Sequence, residues 1–324
     1  MILAWIQSLI IAGRVRYAVA MNREPRMFAA IEAGGTKFEC AIGDEHGAIH
    51  VQARFPTTTP QETLGQVMDF FARSRASLSG LGIACFGPIT PDKRSPDYGF
   101  IGSTPKAGWN HVDIVGMLAR SLACPVGFDT DVNAAAMAER RWGAGRGTGH
   151  MVYVTVGTGI GGGVLIDGAP LHGLMHPEIG HIRPRRHVLD VDFAGVCPFH
   201  GDCLEGLASG PAIIARTGKE LQQLDPSHPQ WQLQADYLGQ LCAQLALTVS
   251  PQRIIMGGGV MSQERLFPMV RASMLSWLGG YIDRSEILSE TERYIVAPGL
   301  GTRAGVMGAL ALAMAAAGPI ENLE

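Results

Sequence analysis

The chain has 324 residues, a length that predicts two domains and allows a sizeable hydrophobic core. Its composition, with 47% hydrophobic and 17% charged residues and 42 glycines, is typical of a soluble α/β protein and argues against a disordered or fibrous chain. A net charge of −3 gives no electrostatic reason to expect nucleic acid, and no apolar run reaches the length of a membrane span.

The segment ahead of the first predicted strand, residues 1–26, differs from the rest of the chain. It contains an apolar stretch over 2–12 that two arginines follow. A signal peptide has its positive charge before the apolar stretch, so this order argues against one. Because both Met21 and Met27 stand ahead of the core strand, we interpret residues 1–26 as a non-conforming leader added by an upstream start codon. An amphipathic surface helix is the alternative.

The hydrophobic pattern predicts an opening β-meander and then alternating strands and helices. Strands over 27–32, 37–43 and 49–55 come first, and Pro60 begins a helix that extends to about residue 75. The later elements are strand 81–86, helix 112–122, strand 125–128, helix 134–142, β-hairpin 152–166, helix 238–249, strand 253–256, a further helix, strand 294–297 and helix 303–317. This order is typical of twisted mixed sheets with helices on both faces.

Two Gly/Thr turns, each between two strands, are the most informative motifs. Residues 31–38 have the sequence Ile-Glu-Ala-Gly-Gly-Thr-Lys-Phe, and residues 152–163 have the sequence Val-Tyr-Val-Thr-Val-Gly-Thr-Gly-Ile-Gly-Gly-Gly. Glycine in such turns lets backbone N–H groups approach an anion, and a threonine hydroxyl adds a donor. Neither turn is a Walker A loop or opens a Rossmann unit. Two such hairpins predict a cleft that holds a nucleoside triphosphate from both sides, as in the actin-like ATPase architecture.

A cluster of polar residues follows the strand predicted over 125–128. It contains Asp129, Asp131 and Asn133, so a carboxylate can face a cleft at the C-terminal end of a strand. A hydroxyl that accepts a phosphoryl group needs a positioned carboxylate to take its proton. The alternative is that Asp129 or Asp131 only caps the following helix. Two carboxylates and an asparagine in so short a segment favour a site.

The six cysteines predict a reducing, cytoplasmic environment and one metal site rather than a disulfide framework. Four of them stand in scattered apolar contexts that are typical of reduced core thiols. The other two belong to a C-x2-H-x2-C motif in a polar loop, and the candidate ligands are His181, Cys197, His200 and Cys203. His176 and His187 compete for the fourth place. Two thiolates and two imidazoles suit a closed, tetrahedral structural zinc site.

Two weaker signals concern ligand binding. Glu178 lies three residues before His181, so a metal on His181 would also fix the backbone that directs Glu178 toward ligand hydroxyl groups. A solvated surface glutamate is the alternative. Three glycines over 257–259 follow a buried strand and would let the backbone approach an adenine or a ribose, although glycines are common in such turns.

Together these residues resemble the ROK family of repressors and sugar kinases over 27–317. The matching segments are 32–37, 130–133, 155–161, the metal loop with its upstream Glu-x-Gly-His, and 257–261. The resemblance implies the actin-like ATPase (ribonuclease H-like) fold, with two duplicated domains around a cleft for nucleotide and sugar. It also implies ATP with Mg²⁺, structural Zn²⁺, and transfer of the γ-phosphoryl group to a hexose hydroxyl.

The resemblance also assigns roles to individual residues. Asp131 is implied as the general base on the sugar 6-hydroxyl. The implied sugar-binding residues are Thr104, Lys106, Trp109, Thr130, Asp131 and Glu178. The implied ATP-binding residues are Gly34, Gly35, Thr36, Lys37, Thr155, Gly157, Thr158, Gly159, Pro211, Gly257, Gly258, Gly259, Val260 and Met261.

Two departures from the usual family pattern indicate the acceptor. Glu32 stands where many relatives carry aspartate, and the metal loop has only two of the three cysteines of the glucokinases. Both departures resemble the fructokinase branch, as does the segment from Thr104 to Trp109. We therefore expect phosphorylation of D-fructose to fructose 6-phosphate. Mannokinase, glucokinase and N-acetylhexosamine kinase activities of the same family are the alternatives.

Other classes of protein fit less well. A sugar-sensing repressor would need a DNA-binding domain of roughly 50 residues or more ahead of the first hairpin, where only 26 residues stand. A zinc hydrolase would need an open coordination position, which two cysteines and two histidines do not leave. We expect a homodimer that binds ATP and a hexose, without nucleic acid or membrane partners.

The predicted domains follow from the two hairpins. Residues 27–128 form the first α/β domain, and the C-terminal helix 303–320 completes it. Residues 129–302 form a larger second α/β domain that carries the zinc loop.

Overall fold

Two five-stranded β-sheets form the framework of the computed structural model, which describes residues 24–74, 77–104 and 106–318. The first sheet contains Met27–Ala33 (β1), Lys37–Asp44 (β2), Ile49–Pro56 (β3), Leu78–Cys85 (β4) and Val126–Thr130 (β5). The second sheet contains Met151–Val156 (β6), Ile160–Ile166 (β7), Ala169–Pro170 (β8), Arg253–Gly257 (β9) and Ile295–Val296 (β10). The leader interpretation falls almost wholly on residues outside the described part of the chain.

The two sheets have the same topology. The spatial order is β3-β2-β1-β4-β5 in the first and, read in the same direction, β8-β7-β6-β9-β10 in the second. In each sheet three antiparallel strands come first and two parallel strands follow on the other side of the opening strand. The β1–β2 and β6–β7 turns therefore occupy equivalent places, as the two Gly/Thr motifs predict.

The helices connect these strands and cover the sheets. They are Pro60–Ala72 (α1), Ile114–Leu122 (α2), Asp131–Trp142 (α3), Leu204–Ala208 (α4), Gly210–Thr217 (α5), Gln230–Thr248 (α6), Leu266–Leu278 (α7), Ser285–Leu288 (α8), Thr291–Tyr294 (α9) and Ala304–Ala317 (α10). α1 begins as the sequence predicts, because the Thr59 side chain accepts a hydrogen bond from the Glu62 N–H and Pro60 opens the first turn. Its buried face carries Leu64, Val67 and Phe71.

Several predicted boundaries differ from the structure. The largest difference is in α6, which begins at Gln230 rather than at residue 238. Side chains or neighbouring elements at the ends explain three of the others. α2 begins at Ile114 because Asp113 caps it, accepting a hydrogen bond of 2.6 Å from the Gly116 N–H. α3 begins at Asp131 rather than at residue 134, because Thr130 is its cap. The last strand is only Ile295–Val296, since Tyr294 ends the short helix α9.

The terminal helix α10 packs on the first sheet and crosses α3. Glycines make this approach possible: a methyl group on Gly82 of β4 or Gly127 of β5 would overlap the α10 backbone. Where the two helices cross, Gly308 of α10 lies directly against Ala134 of α3. These two helices lie between the sheets and set how the walls of the cleft face each other.

The second sheet is covered by α6 and α7, whose apolar side chains form the largest buried cluster with β6, β7 and β9. Tyr237, Leu241 and Met256 are members of this core. Within the described ranges, no helix combines the length and apolar character that crossing a bilayer requires.

Candidate active site

Asp131 lies where β5 gives way to α3, at the edge of the first sheet. Its neighbour Thr130 caps the helix, because the Thr130 hydroxyl accepts the Asn133 N–H at 3.1 Å. Asp131 Oδ1 accepts the Val132 N–H at 2.9 Å. Burial, together with the negative charge of Glu178, raises the pKa of Asp131 to about 6. Thr130, and not Asp131, is therefore the cap of α3.

The second carboxylate of this segment, Asp129, has a structural environment. It is buried and accepts hydrogen bonds from the Thr130 N–H at 2.8 Å and from Asn133 Nδ2 at 2.8 Å. His172 Nε2 lies 3.0 Å from the other carboxylate oxygen, and this contact raises the pKa of His172. Asp129 thus ties the loop 171–178 to the base of α3.

Glu32 forms an acidic pair with Asp131. Burial raises its pKa to about 7, and the charge of Asp131 is the next largest cause. The Glu32 carboxylate lies against Gly305 in the first turn of α10, where a methyl group would overlap it. Because a helix N-terminus carries partial positive charge, it stabilises a carboxylate there. The two carboxylates repel each other, which is the electrostatic situation that a bound divalent cation relieves.

The β1–β2 turn forms one rim of the cleft. The Gly34 N–H donates to the Lys37 carbonyl at 2.9 Å, and the Thr57 hydroxyl donates to the Gly34 carbonyl at 2.7 Å. Gly35 and Thr36 are exposed at its tip. Lys37 Nζ forms an ion pair of 2.9 Å with Glu39. The turn is therefore held in shape by its neighbours while its tip stays free.

The β6–β7 turn forms the opposite rim, with Thr158 exposed at its tip. The Gly157 N–H donates to the Gly159 carbonyl at 2.9 Å, and the Gly157 carbonyl accepts the N–H of Gly210 at 2.8 Å. Pro211 follows Gly210 in the first turn of α5, which places both beside this turn. Thr155 lies partly exposed on β6, two residues before Gly157.

Glu205 is a residue of this site that the sequence does not single out. It lies on α4 and accepts the Ile160 N–H at 2.9 Å through Oε2, beneath the β6–β7 turn. Its position two residues after Cys203 is the only signal in the sequence that could have indicated it. Glu205 thus connects the metal loop to the turn.

The glycine turn after β9 packs on the same rim. Gly257 pairs with Thr155 in the sheet, and Gly258, with φ of 89°, lies directly against the Val156 backbone. The side chains of Val260 and Met261 are buried in the second core. Only the backbone at these two positions can face a ligand.

The segment 104–109, which the sequence predicts to bind the sugar, has a buried part and a partly exposed part. Trp109 is fully buried, stacks near Phe38 at 5.3 Å between ring centroids, and donates its indole N–H to the Thr58 carbonyl at 2.8 Å. Its side chain therefore belongs to the first core and not to the surface of the cleft. Thr104 is buried and its hydroxyl accepts the Lys106 N–H at 3.3 Å. Lys106 itself is partly exposed.

Glu178 faces Asp131 from the second wall, since its charge contributes to the raised Asp131 pKa. It directly precedes the short 3₁₀ helix Ile179–His181, and its carbonyl accepts the His181 N–H at 3.0 Å. His176 Nδ1 lies 3.5 Å from Glu178 Oε1. The segment that carries Glu178 is thus continuous with the predicted metal ligand His181.

The four predicted metal ligands come together: His181, Cys197, His200 and Cys203. Their ligand atoms all lie within 4.8 Å of one another, and His181 Nδ1 is 3.4 Å from Cys203 Sγ and 3.9 Å from Cys197 Sγ. A tetrahedral zinc ion with its usual bond lengths separates such ligands by about 3.4–3.8 Å. The donor set and its spacing therefore fit zinc. The competing histidines lie elsewhere, because His187 Nδ1 accepts the Leu189 N–H and His176 faces Glu178.

A buried ion pair is a second anchor of the metal loop. Arg216 Nε lies 2.7 Å from Asp190 Oδ1, and the Tyr237 hydroxyl donates to Asp190 Oδ2 at 2.7 Å. Both charged side chains are almost fully buried, and Phe193 lies over the guanidinium at 4.1 Å. The sequence gives no local sign of this network, since its partners stand on three separate elements.

Comparisons with known proteins identify the family of the chain. The family model described as the ROK family matches residues 28–316. The chain is 46% identical to a fructokinase of Zymomonas mobilis subsp. mobilis over 91% of this chain and 99% of that protein. It is 47% identical to a putative fructokinase of Bacillus subtilis over 89% and 95% of the two chains.

Solved structures give the same result for the fold. A ROK family glucokinase from Streptomyces griseus, in complex with glucose and AMPPNP, aligns with a TM-score of 0.70 at 27% identity, over 89% of this chain and 99% of that one. A ROK hexokinase from Thermus thermophilus aligns with a TM-score of 0.71 at 25% identity, over 89% and 97%. The predicted actin-like ATPase fold with two duplicated halves is confirmed, and the chain belongs to the ROK family.

Proposed function

We propose that the protein is an ATP-dependent fructokinase that transfers the γ-phosphoryl group to the 6-hydroxyl of D-fructose. One observation carries the proposal: Asp131 presents a carboxylate of raised pKa to the cleft, in a ROK chain whose relatives at 41–47% identity include fructokinases. The β1–β2 and β6–β7 turns on the two rims supply the phosphate contacts that this reaction needs.

Asp131 acts as the general base. As the fructose hydroxyl attacks the γ-phosphorus, its proton passes to the carboxylate, and the bond between phosphorus and the β–γ bridging oxygen breaks. A pKa near 6 suits this role, since the group is ionised at neutral pH yet more basic than an ordinary aspartate. The Thr130 cap leaves the carboxylate free to make this contact.

The nucleotide is held by backbone groups and hydroxyls on both rims. Gly35 and Thr36 approach the phosphates from the first wall, and Gly157 and Thr158 approach them from the second. The turn over 257–259 receives the adenosine end, where backbone lies open at Gly259. Glu32 would hold magnesium, which would neutralise charge that develops on the transferred phosphoryl group, and the Asp131 carboxylate stays available for the proton.

The sugar lies between Asp131 on the first wall and Glu178 on the second. Glu178 accepts hydrogen bonds from sugar hydroxyls, and Lys106 and Thr130 border the same space. Trp109 contributes indirectly, by holding its loop against the Thr58 carbonyl.

His181, Cys197, His200 and Cys203 would hold zinc. Four protein ligands would complete its tetrahedral shell, so the ion would have a structural role and would fix the segment that leads to Glu178. None of the six cysteines is in a disulfide, which supports a cytoplasmic location. The domain boundaries at 128 and 302 and the homodimer remain predictions, which limited proteolysis and sedimentation velocity would check.

A coupled assay with a panel of sugars tests the proposed function. The purified protein is given ATP with fructose, mannose, glucose or N-acetylmannosamine, and kcat/KM is measured for each. We expect fructose to have the highest value, mannose the next, and the product to be the 6-phosphate. A higher kcat/KM for glucose or N-acetylmannosamine would contradict the fructokinase proposal, while leaving a sugar kinase of this family.

A further inference from the structure

His176 has an environment that the proposed reaction does not yet use. It lies in the loop 171–178, and only 5% of its surface is exposed. One ring nitrogen, Nδ1, lies 3.5 Å from Glu178 Oε1. The other, Nε2, is buried and has no hydrogen-bond partner among the described residues. A buried polar atom of this kind normally has a hydrogen-bond partner, and a bound ligand can supply one here.

The unpartnered nitrogen faces the first wall of the cleft. A methyl group on Gly87 would lie 3.8 Å from His176 Nε2. Gly87 follows β4, whose last residue Cys85 is close enough to Asp131 for that carboxylate to raise its pKa. The ring of His176 thus extends from the second wall toward the end of the strand beside the proposed base.

The neighbours of His176 are the groups that we assign to the sugar. Glu178 borders its Nδ1 side, and Glu178 in turn faces Asp131. An imidazole can donate through one nitrogen and accept through the other, so a contact of Nδ1 with the Glu178 carboxylate leaves Nε2 as an acceptor. The group that suits this acceptor is a hydroxyl.

We propose that His176 Nε2 accepts a hydrogen bond from a hydroxyl of the acceptor sugar and contributes to the choice between hexoses. The inference rests on the proposed function, because it requires a sugar between Asp131 and Glu178. A site that hydrogen-bonds a substrate hydroxyl discriminates strongly against a substrate that leaves the buried group unpaired. His176 is therefore a specificity residue on the second wall, in addition to Glu178.

Two substitutions separate the roles of the two ring nitrogens. His176→Gln keeps a polar atom near the position of Nε2, whereas His176→Asn keeps one only near the position of Nδ1. We expect His176→Asn to raise KM for fructose by about tenfold or more, the usual effect of leaving a buried polar group unpaired. His176→Gln should stay within a few-fold of wild type, and KM for ATP should be unchanged in both variants.

Deoxy sugars identify the contact itself. Wild type and His176→Asn are compared on fructose, 1-deoxyfructose, 3-deoxyfructose, 4-deoxyfructose and 2,5-anhydromannitol, which lacks the 2-hydroxyl. In wild type, removing the hydroxyl that contacts His176 should lower kcat/KM relative to fructose. In His176→Asn the same removal should lower kcat/KM by a factor at least about fivefold smaller, because the variant already lacks that contact. Equal losses in both proteins for every analogue would overturn the proposal, as would a His176→Asn variant with normal KM for fructose.

The experiments distinguish an error in the fructose assignment from an error in the role of His176. If wild type prefers another hexose, the fructose assignment is wrong, and the same comparison is made with the deoxy analogues of that hexose. Melting temperatures of both variants close to that of wild type establish that the ring substitutions act on binding. A loss shared equally by the Gln and Asn variants would contradict a contact through Nε2.

Discussion

The two walls of the cleft have the same strand order but different chemistry. On the first wall, Glu32 and Asp131 are carboxylates whose pKa values burial raises to about 7 and about 6. On the second wall, the equivalent turn is neutral, and α4, α5 and the metal loop support it from beneath. The two sheets therefore share one strand order, and the residues that differ between them place the buried carboxylates on the first wall.

The two equivalent helices illustrate the difference. α3 follows β5 directly, so that Asp131 stands in its first turn with its carboxylate toward the cleft. α10 follows β10 through a longer connection and has no acidic residue in its first turn. It instead receives Glu32 from the first hairpin, beside Gly305. The acidic pair thus joins one residue from the first hairpin and one from the first turn of α3, both at the edge of the first sheet.

The largest expected effect comes from removing the base on the first wall. Asp131→Asn keeps the shape of the side chain but cannot accept the proton, so we expect kcat to fall by ~10²–10⁴-fold. ATP affinity and melting temperature should stay near wild type. Steady-state kinetics with fructose and calorimetric titration with an ATP analogue measure both. Asp167→Asn is the matched control, because Asp167 is exposed and its φ of 51° suits asparagine.

The next largest effect concerns the buried anchor of the second wall. Asp190→Asn leaves the Arg216 guanidinium buried without its counter-charge, which typically costs about 3–5 kcal/mol of folding free energy. Urea unfolding measures the loss. Asp202→Asn removes a surface ion pair with Arg183 in the same loop and should change the stability little. Equal stability of the two variants would show that the buried pair does not anchor the loop.

Loss of a metal ligand should lower the stability less than Asp190→Asn does, but it should also lower the zinc content. Cys203→Ser should lower the zinc content from about one ion per chain to much less, and a loss of about 2 kcal/mol would lower the melting temperature by roughly 4–8 °C. Elemental analysis and differential scanning calorimetry measure the two quantities. Cys124→Ser, outside the cluster, should change neither. A wild-type protein that is free of metal, equally stable and fully active would contradict the structural role.

The smallest expected effect concerns the contact between the metal loop and the β6–β7 turn. Glu205→Ala removes the acceptor of the Ile160 N–H, and the loss of one hydrogen bond to a charged group costs about 1.5–3 kcal/mol. We expect KM for ATP to rise by at least about tenfold while zinc content is unchanged. Unaltered ATP kinetics would mean that the backbone bond between Gly210 and Gly157 is sufficient to hold the turn.

The sequence predicts those parts of the site that depend on local patterns. Both Gly/Thr turns, the strand end before Asp131 and the four clustered Cys and His residues are visible in short segments, and the structure brings each set together. The hydrophobic pattern does not predict the first residue of a helix where a capping side chain determines it, as Thr130 does for α3.

Contacts between distant residues could not be predicted in this way. Glu205 meets a backbone N–H 45 residues away, and Asp190 meets Tyr237, which is 47 residues away. Trp109 is predicted to contact sugar, but its indole N–H is bound to the Thr58 carbonyl, 51 residues earlier. Burial decides the role of each of these side chains, and burial depends on the packing of the whole fold.

The pH dependence of kcat/KM for fructose tests the central claim most directly. The folded protein holds the Asp131 pKa at about 6, so lowering the pH through 6 protonates the base, and activity should fall there and level off above it. The Asp131→Asn variant, measured at the same ATP concentrations, corrects for the titration of ATP and should lack this acid limb. An unchanged acid limb in the variant would contradict Asp131 as the general base.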